Sequence, residues 1–296
     1  MRRFLASAVL LLAMFAGMDA QQMPQTPQKY SAAWVGENYT KTEVDIKMRD
    51  GVHLHTIIYE PKDQSTKHPI LMQRTCYSVS RSGITSVSVE PYVDSRYIFV
   101  FQDVRGKNMS EGEFDDIRPF IENKKLNKKP EKNVGQTDEA SDTYDTNNGC
   151  IGQYGISYPG FYTTMGGLSG HPAMKAVSPQ APVTDWYHGD DVHHNGAFMM
   201  AEMISFQPMF EYMMNNKYVR EAAKTGKMPQ FKFPTLFQND FYSDYLKIGT
   251  YKNITEAYGD SLEYLRTVRE HPNWDEYWES HTVTKGHMHD VKPAVM

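Results

Sequence analysis

The chain has 296 residues, 40% of them hydrophobic and 23% charged, with a formal net charge of −5. That length supports one large domain, or a domain carrying a sizeable insertion. The acidic balance excludes the basic field that gathers nucleic acid or an anionic membrane. Arg2 and Arg3 precede an almost unbroken apolar run from Leu5 to Gly17, which gives way near Ala20 to Gln21 and Gln22. The run is shorter than the about 20 apolar residues that a bilayer span needs. Residues 1–20 therefore read as a cleavable secretory signal. The expected location is secreted or periplasmic, with no membrane association after cleavage. Residues 21–38, polar and Pro-containing, are expected to be a leader before the fold.

From Glu43 the pattern alternates, with Val44, Ile46 and Met48 on one face and Asp45 and Lys47 on the other. Arg49-Asp50-Gly51 is a turn signal, after which Val52, Leu54, Thr56 and Ile58 alternate again. The prediction is an antiparallel hairpin with one solvated face. Pro69 to Met72 and Tyr97 to Phe101 are continuous apolar runs, which suit strands buried on both faces. Cys150 to Gly155 and Met174 to Val177 are further strand candidates. An antiparallel entry followed by buried strands and helical stretches predicts an α/β fold. From about Asp190 to Trp278, Phe206, Met209, Phe210 and Met213 recur at helical spacing, so this stretch reads as a helical cap over the sheet. Its Met-rich stripe is taken as packing rather than a cofactor box.

Cys76 falls just past the end of one parallel strand and Cys150 opens another. Opposite ends of parallel strands stand on the order of 15 Å apart, beyond disulfide reach, so both thiols are expected to be free. Asn38, Asn108 and Asn253 sit in glycosylation-type triplets. Asp103 and Arg105 read as a buried ion pair tying a loop to the sheet. His287-Met288-His289 lacks the further ligands a metal site needs, and no metal or cofactor is expected.

The sharpest local signal is Gly155-Ile156-Ser157-Tyr158-Pro159-Gly160, directly after a strand and before a Gly-containing helix start. A nucleophilic Ser needs such a tight strand-to-helix turn to expose its hydroxyl. The second Gly comes one place later than in G-x-S-x-G, and the hexapeptide alone fits a turn without chemistry better than an elbow. Other motifs occur in order around it: Asp50-Gly51-Val52, Arg74-Thr75-Cys76-Tyr77, Gln102-Asp103-Val104-Arg105-Gly106, Ser110-Glu111-Gly112, Asp185-Trp186 and His194-Asn195-Gly196-Ala197-Phe198.

Together these motifs resemble the cocaine-esterase-like and Xaa-Pro-dipeptidyl-peptidase-like serine hydrolases, particularly the α-amino-acid ester hydrolases and glutaryl-cephalosporin acylases. The resemblance runs from about Tyr39 to Met296. It implies an α/β-hydrolase sheet with Ser157 as acylating nucleophile. The backbone N–H of Tyr158 and the hydroxyl of Tyr77 would form the oxyanion hole. Cys76 stands where the family usually has a Pro. Asp191 falls where the amino-ester hydrolases keep one carboxylate for the substrate's α-ammonium group; Asp190 and Asp191 fit a solvated turn equally well.

The expected division is signal 1–20, leader 21–38, partial hydrolase core 39–189, helical cap 190–280, and a return to the core over 281–296. The family's catalytic Asp, catalytic His, last strands and C-terminal β-sandwich find no counterpart, and its acid follows a strand that begins like Lys292 to Met296. His281, His287 and His289 match none of these. A helix from Asp138 to Thr146 looks shortened against the family's. The expected function is hydrolysis of ester or amide bonds in acyl or α-amino-acyl substrates, including short peptides. A homo-oligomer is in keeping with the family. Because the base and acid are missing, an inactive exported remnant or binding protein stays open, as does a dipeptidyl peptidase.

Overall fold

The computed structural model of the chain describes residues 29–84, 90–121, 129, 132–133, 136, 138–139, 149–228, 240–258, 262–283 and 287–296. Residues 1–20, read above as a signal, lie outside the described residues. So does the helix expected before the nucleophile strand, apart from Asp138 and Glu139.

The segment read as a leader ends in a helix, α1 (Ala32–Asn38), capped by Ser31, whose hydroxyl accepts the Trp34 N–H. Trp34 and Val35 pack on the core cluster that contains Tyr39 and Phe99, so this part of the segment belongs to the packed structure. Strands β1 (Tyr39–Lys47) and β2 (His53–Pro61) form the expected hairpin, with Glu43 opposite Ile57. Alternation fails on β1, where Val44 is 38% exposed. The strand lies at the sheet's edge, with β2 as its one neighbour among the described residues, so Val44 has little to pack against.

β3 (Ile70–Thr75), β4 (Ile98–Asp103), β5 (Ile151–Ile156), β6 (Met174–Gln180) and β9 (Ala294–Val295) complete the sheet in the order β1-β2-β4-β3-β5-β6-β9. From β4 onward neighbouring strands run parallel. The continuous apolar runs are explained by two covered faces. Phe99, Phe101 and Leu71 join one cluster, while Val100 and Met72 join another with Ile151, Met174 and Val177. Each large side chain so buried stabilises the fold by roughly 1.5–3 kcal/mol before entropy is counted. A short helix, α2 (Glu90–Asp94), precedes β4.

Helix α3 (Tyr158–Leu168) follows β5 and is buried along its whole length. A Cβ at Gly166 would collide with the Gln153 side chain of β5, whose amide donates to the Tyr162 carbonyl at 3.0 Å. Glycine at this position lets the helix lie against the sheet.

After a small hairpin, β7 (His193–His194) and β8 (Ala197–Phe198), the chain becomes helical. α4 (Met200–Pro208) runs into a π-helical turn (Met209–Met213) and then α5 (Asn216–Thr225). α6 (Phe241–Ile248), α7 (Tyr251–Tyr258), α8 (Glu263–Glu270) and α9 (Glu276–Ser280) follow. The π turn carries an extra residue per turn, which shifts the phase of the apolar stripe. Phe210 is fully buried and Met213 is 50% exposed, although the spacing placed them on one face.

The 105–116 loop after β4 grips this π turn. Lys107 Nζ donates to the Phe210 carbonyl at 2.8 Å, and Asn108 N to the Met214 carbonyl at 2.8 Å. The Asn216 amide donates to the Ser110 and Gly112 carbonyls at 2.9 and 2.8 Å. Arg105 pairs with Asp50, not with Asp103. Asp103 instead accepts N–H groups from Val79 at 2.8 Å and Met109 at 3.3 Å. Both cysteines are free, Cys76 buried and Cys150 exposed. Among the described residues, no helix is long and apolar enough to cross a membrane.

Candidate active site

Ser157 stands between β5 and α3 with φ 61° and ψ −124°, a conformation rare for a residue with a Cβ. Its neighbours explain how the turn closes. The Ser157 N–H donates to the Gln180 carbonyl at 3.0 Å, and its own carbonyl accepts the Phe161 N–H at 3.1 Å. A Cβ on Gly155 would strike the Pro159 carbonyl, and one on Gly160 would stand 2.8 Å from the Gln180 carbonyl. The late glycine is thus the residue that touches the end of β6. Pro159 occupies the first turn of α3, where a missing N–H costs nothing. Ser157 itself is half-buried, and Ile156 beside it is 57% exposed.

Tyr77, just past β3, has its phenol close enough to the Ser157 side chain for the two to interact. The loop that carries it is held by Asn108, whose amide donates to the Cys76 carbonyl at 2.9 Å. This use buries Asn108, the middle one of the three glycosylation-type asparagines. Burial pushes the Tyr77 phenol up, with Cys76 and Asp191 acting in the same direction, so it stays a donor at neutral pH. Asp191 is exposed, and its N–H bonds to Asp190 at 3.0 Å. The other Asp190 oxygen accepts the Thr184 N–H at 2.7 Å. Asp190 therefore shapes the turn, and Asp191 is the member of the pair whose charge reaches Tyr77. Of the sequence-derived residues, Ser157 and Tyr77 are brought together, and the charge of Asp191 acts on Tyr77.

Tyr158, the fourth, presents two ends. As the first residue of α3, its N–H has no intrahelical acceptor and lies beside Ser157. Its ring runs inward, stacked on Phe210 at 5.3 Å and edge-on to Trp186 at 5.9 Å. The phenol donates to Asp116 Oδ1 at 2.8 Å and accepts the Ile117 N–H at 3.1 Å. Burial holds the phenol well above its ordinary range.

Around Asp116 sits a group of charges that the sequence reading missed. Lys107 lies over the faces of Phe114 and Phe210, with Nζ 3.9 and 3.5 Å from the ring centres. Burial brings it down to about 8. Burial also raises Asp116 to about 6, against the pull of Lys107, and raises Glu211 to about 7, with Asp116 adding to the shift. A cavity of about 530 Å³ lies here between the 105–116 loop and the helical region, lined by Lys107, Asp116, Glu211, Asn216, Tyr264 and Tyr277 among others. Asp116 has no periodic or motif signature, because its partners come from α3 and the π turn, remote in sequence.

Among the described residues no histidine hydrogen-bonds to Ser157. His281 lies 3.8 Å from Asp115, the His287 ring packs on Phe120 at 4.7 Å, and His289 is 3.3 Å from Asp290. The arrangement offers a half-buried serine on a strained elbow, with the Tyr158 N–H and the Tyr77 phenol beside it. That set suits attack on a carbonyl and stabilisation of the oxyanion formed.

The architecture is shared with known proteins. An aminopeptidase from a marine sediment archaeon, Thaumarchaeota archaeon, superposes with a TM-score of 0.66 at 31% identity, over 90% of this chain and 43% of that one. An α-amino acid ester hydrolase gives a TM-score of 0.66 at 30% identity, over 89% and 43%. The cocaine esterase of Rhodococcus sp. (strain MB1 Bresler) is 27% identical over 188 residues, 59% of this chain and 29% of the esterase. The chain thus spans less than half the length of each of these relatives. The model of the X-Pro dipeptidyl-peptidase (S15) family matches residues 50–296. With the hydrolase-type sheet and the Ser157 turn in place, the chain belongs to the X-Pro dipeptidyl-peptidase (S15) family.

Proposed function

We propose that this chain carries the nucleophile and oxyanion hole of an exported serine hydrolase acting on ester or amide bonds. The observation that supports this most is the Ser157 elbow, with Tyr77 in reach of the serine side chain. Ser157 Oγ attacks the acyl carbonyl while a base takes its proton. The Tyr77 phenol and the Tyr158 N–H donate to the oxyanion, the alcohol or amine departs, and water then releases the acyl group. Preorganised donors favour the tetrahedral state because its charge appears only there. Asp191 is suited to an α-ammonium group on the acyl side, since it is a carboxylate whose charge acts on Tyr77 and a carboxylate pairs with a cation. The N-terminal apolar run supports export.

A second reading is a binding protein that keeps the pocket without turnover. A fluorophosphonate probe separates the two. Labelling of Ser157 in the folded chain, lost in Ser157→Ala and after denaturation, supports the hydrolase. A folded chain that takes no label supports the binding protein. Comparison of amino-acid esters with Xaa-Pro amides then sorts esterase from dipeptidyl-peptidase chemistry.

A further inference from the structure

We infer that Asp116 is a positioning residue that sets the orientation of the elbow by holding the Tyr158 phenol. The inference deepens the proposed function, since it rests on the Tyr158 N–H serving as an oxyanion donor. Its own support is geometric. Tyr158 is the residue after the nucleophile, so its backbone and its side chain leave the elbow in different directions. The ring is confined by Phe210, Trp186, Phe114 and Tyr162, with centroids 5.3, 5.9, 6.2 and 5.4 Å away. The phenol at its end both donates to Asp116 and accepts from the Ile117 N–H. A buried phenol bonded on both sides has one orientation. A residue whose side chain is fixed at the far end carries that constraint back to its own N–H.

The same contacts connect the elbow to the helical region. Phe210 belongs to the π turn, whose carbonyl is held by Lys107, and Lys107 is also the cation that acts on Asp116. Asp116, Lys107 and Phe210 therefore form one support on which the Tyr158 ring rests. The neighbouring Asp115 is exposed and makes no such bond to Tyr158, so it provides the internal control.

The test uses the full chain labelled with ¹⁵N-tyrosine, in which the Tyr158 amide signal is the one lost in Tyr158→Phe. Asp116→Ala is expected to shift and broaden that signal. Asp116→Asn, which keeps an acceptor for the phenol, is expected to restore it, and Asp115→Ala to leave it in place. Fluorophosphonate labelling of Ser157 is expected to slow about a hundredfold in Asp116→Ala, the penalty typical of an ångström-scale misplacement. Asp116→Asn should recover most of the rate. Tyr158→Phe removes the same bond from the other end, and combining it with Asp116→Ala should slow labelling no further. An unchanged Tyr158 amide in Asp116→Ala overturns the inference, as does additive slowing in the double variant. If Asp116→Ala does not fold, a Tyr158→Phe chain that labels at the parent rate overturns it. If the parent chain takes no label, the hydrolase reading falls and the amide signal still decides the role of Asp116.

Discussion

Arg105 holds Asp50 through two hydrogen bonds, Nη1 to Oδ2 at 2.8 Å and Nη2 to Oδ1 at 3.2 Å, and both side chains are almost fully buried. The pair links the β1–β2 turn to the loop that grips the π turn, so it stabilises the platform under the helical region. Removing one partner of a buried pair takes away the other's main counter-charge, and such changes cost about 3–5 kcal/mol. Asp50→Ala and Arg105→Ala are each expected to lose that much in urea unfolding. Arg105→Lys should recover little, because an ammonium cannot reproduce the planar two-point contact. Full recovery by lysine would show that charge alone matters at this position.

Much of the sheet was legible in the sequence because buried parallel strands leave continuous apolar runs, as Ile70–Met72 and Ile98–Phe101 do. The elbow was legible as a glycine and proline pattern around Ser157, and the family resemblance brought in Tyr77 and Asp191. What stayed hidden depends on contacts between segments remote in sequence. Arg105 was paired with the nearby Asp103, whereas its partner lies 55 residues upstream. Val44 fitted a buried face by alternation, yet β1 is an edge strand with little to cover it. The π turn broke the stripe from Phe206 to Met213, because helical spacing presumes a regular α-helix.

Ser157 carries backbone strain that a glycine would not. A non-glycine residue in such a region costs on the order of 1–3 kcal/mol. Ser157→Gly is therefore expected to raise stability by about 1 kcal/mol or more while abolishing reaction with the serine probe. Gly155→Ala should act in the opposite sense, because its Cβ would strike the Pro159 carbonyl. Overpacking of this kind costs about 1–3 kcal/mol. Thermal melts of the two variants beside the parent chain check the pair. A destabilised Ser157→Gly would mean that the elbow is not strained.

The two thiols should differ sharply in reactivity. Cys150 is exposed, while Cys76 is fully buried and burial holds its thiol above the ordinary range. A thiolate is the reactive form, so a disulfide reagent at neutral pH is expected to modify Cys150 alone in the folded chain. Cys76 should react only as fast as the chain unfolds, and its modification should accelerate with urea. Cys150→Ser would then leave a folded chain with no promptly reacting thiol. Prompt reaction of Cys76 would place the loop after β3 in solvent.

The buried carboxyls and Lys107 each set a pH dependence whose sign follows from the direction of the shift. Asp103 and Asp116 are raised to about 6 and Glu211 to about 7, burial being the first cause in each. Between the ordinary carboxylate range and these values, the folded chain holds more protons than the unfolded one. Unfolding free energy therefore falls as pH rises through that window. A carboxyl moved from about 4 to about 6 contributes roughly 2–3 kcal/mol across it. Lys107, lowered to about 8, acts at higher pH. There the folded chain holds fewer protons, so stability recovers between about 8 and the ordinary lysine range near 10.4. Urea midpoints are thus expected to decline from pH 5 to 7 and to pass through a minimum between about 7 and 8. Glu211→Gln removes one of the raised carboxyls but keeps acceptors for the Glu263 and Tyr264 N–H groups that Glu211 now caps. It should flatten the decline most between pH 6 and 7, where the other two carboxyls have largely titrated. A midpoint that rises steadily from pH 5 to 7 in the parent chain would mean that these groups are solvated, and that the 105–116 loop does not close over them.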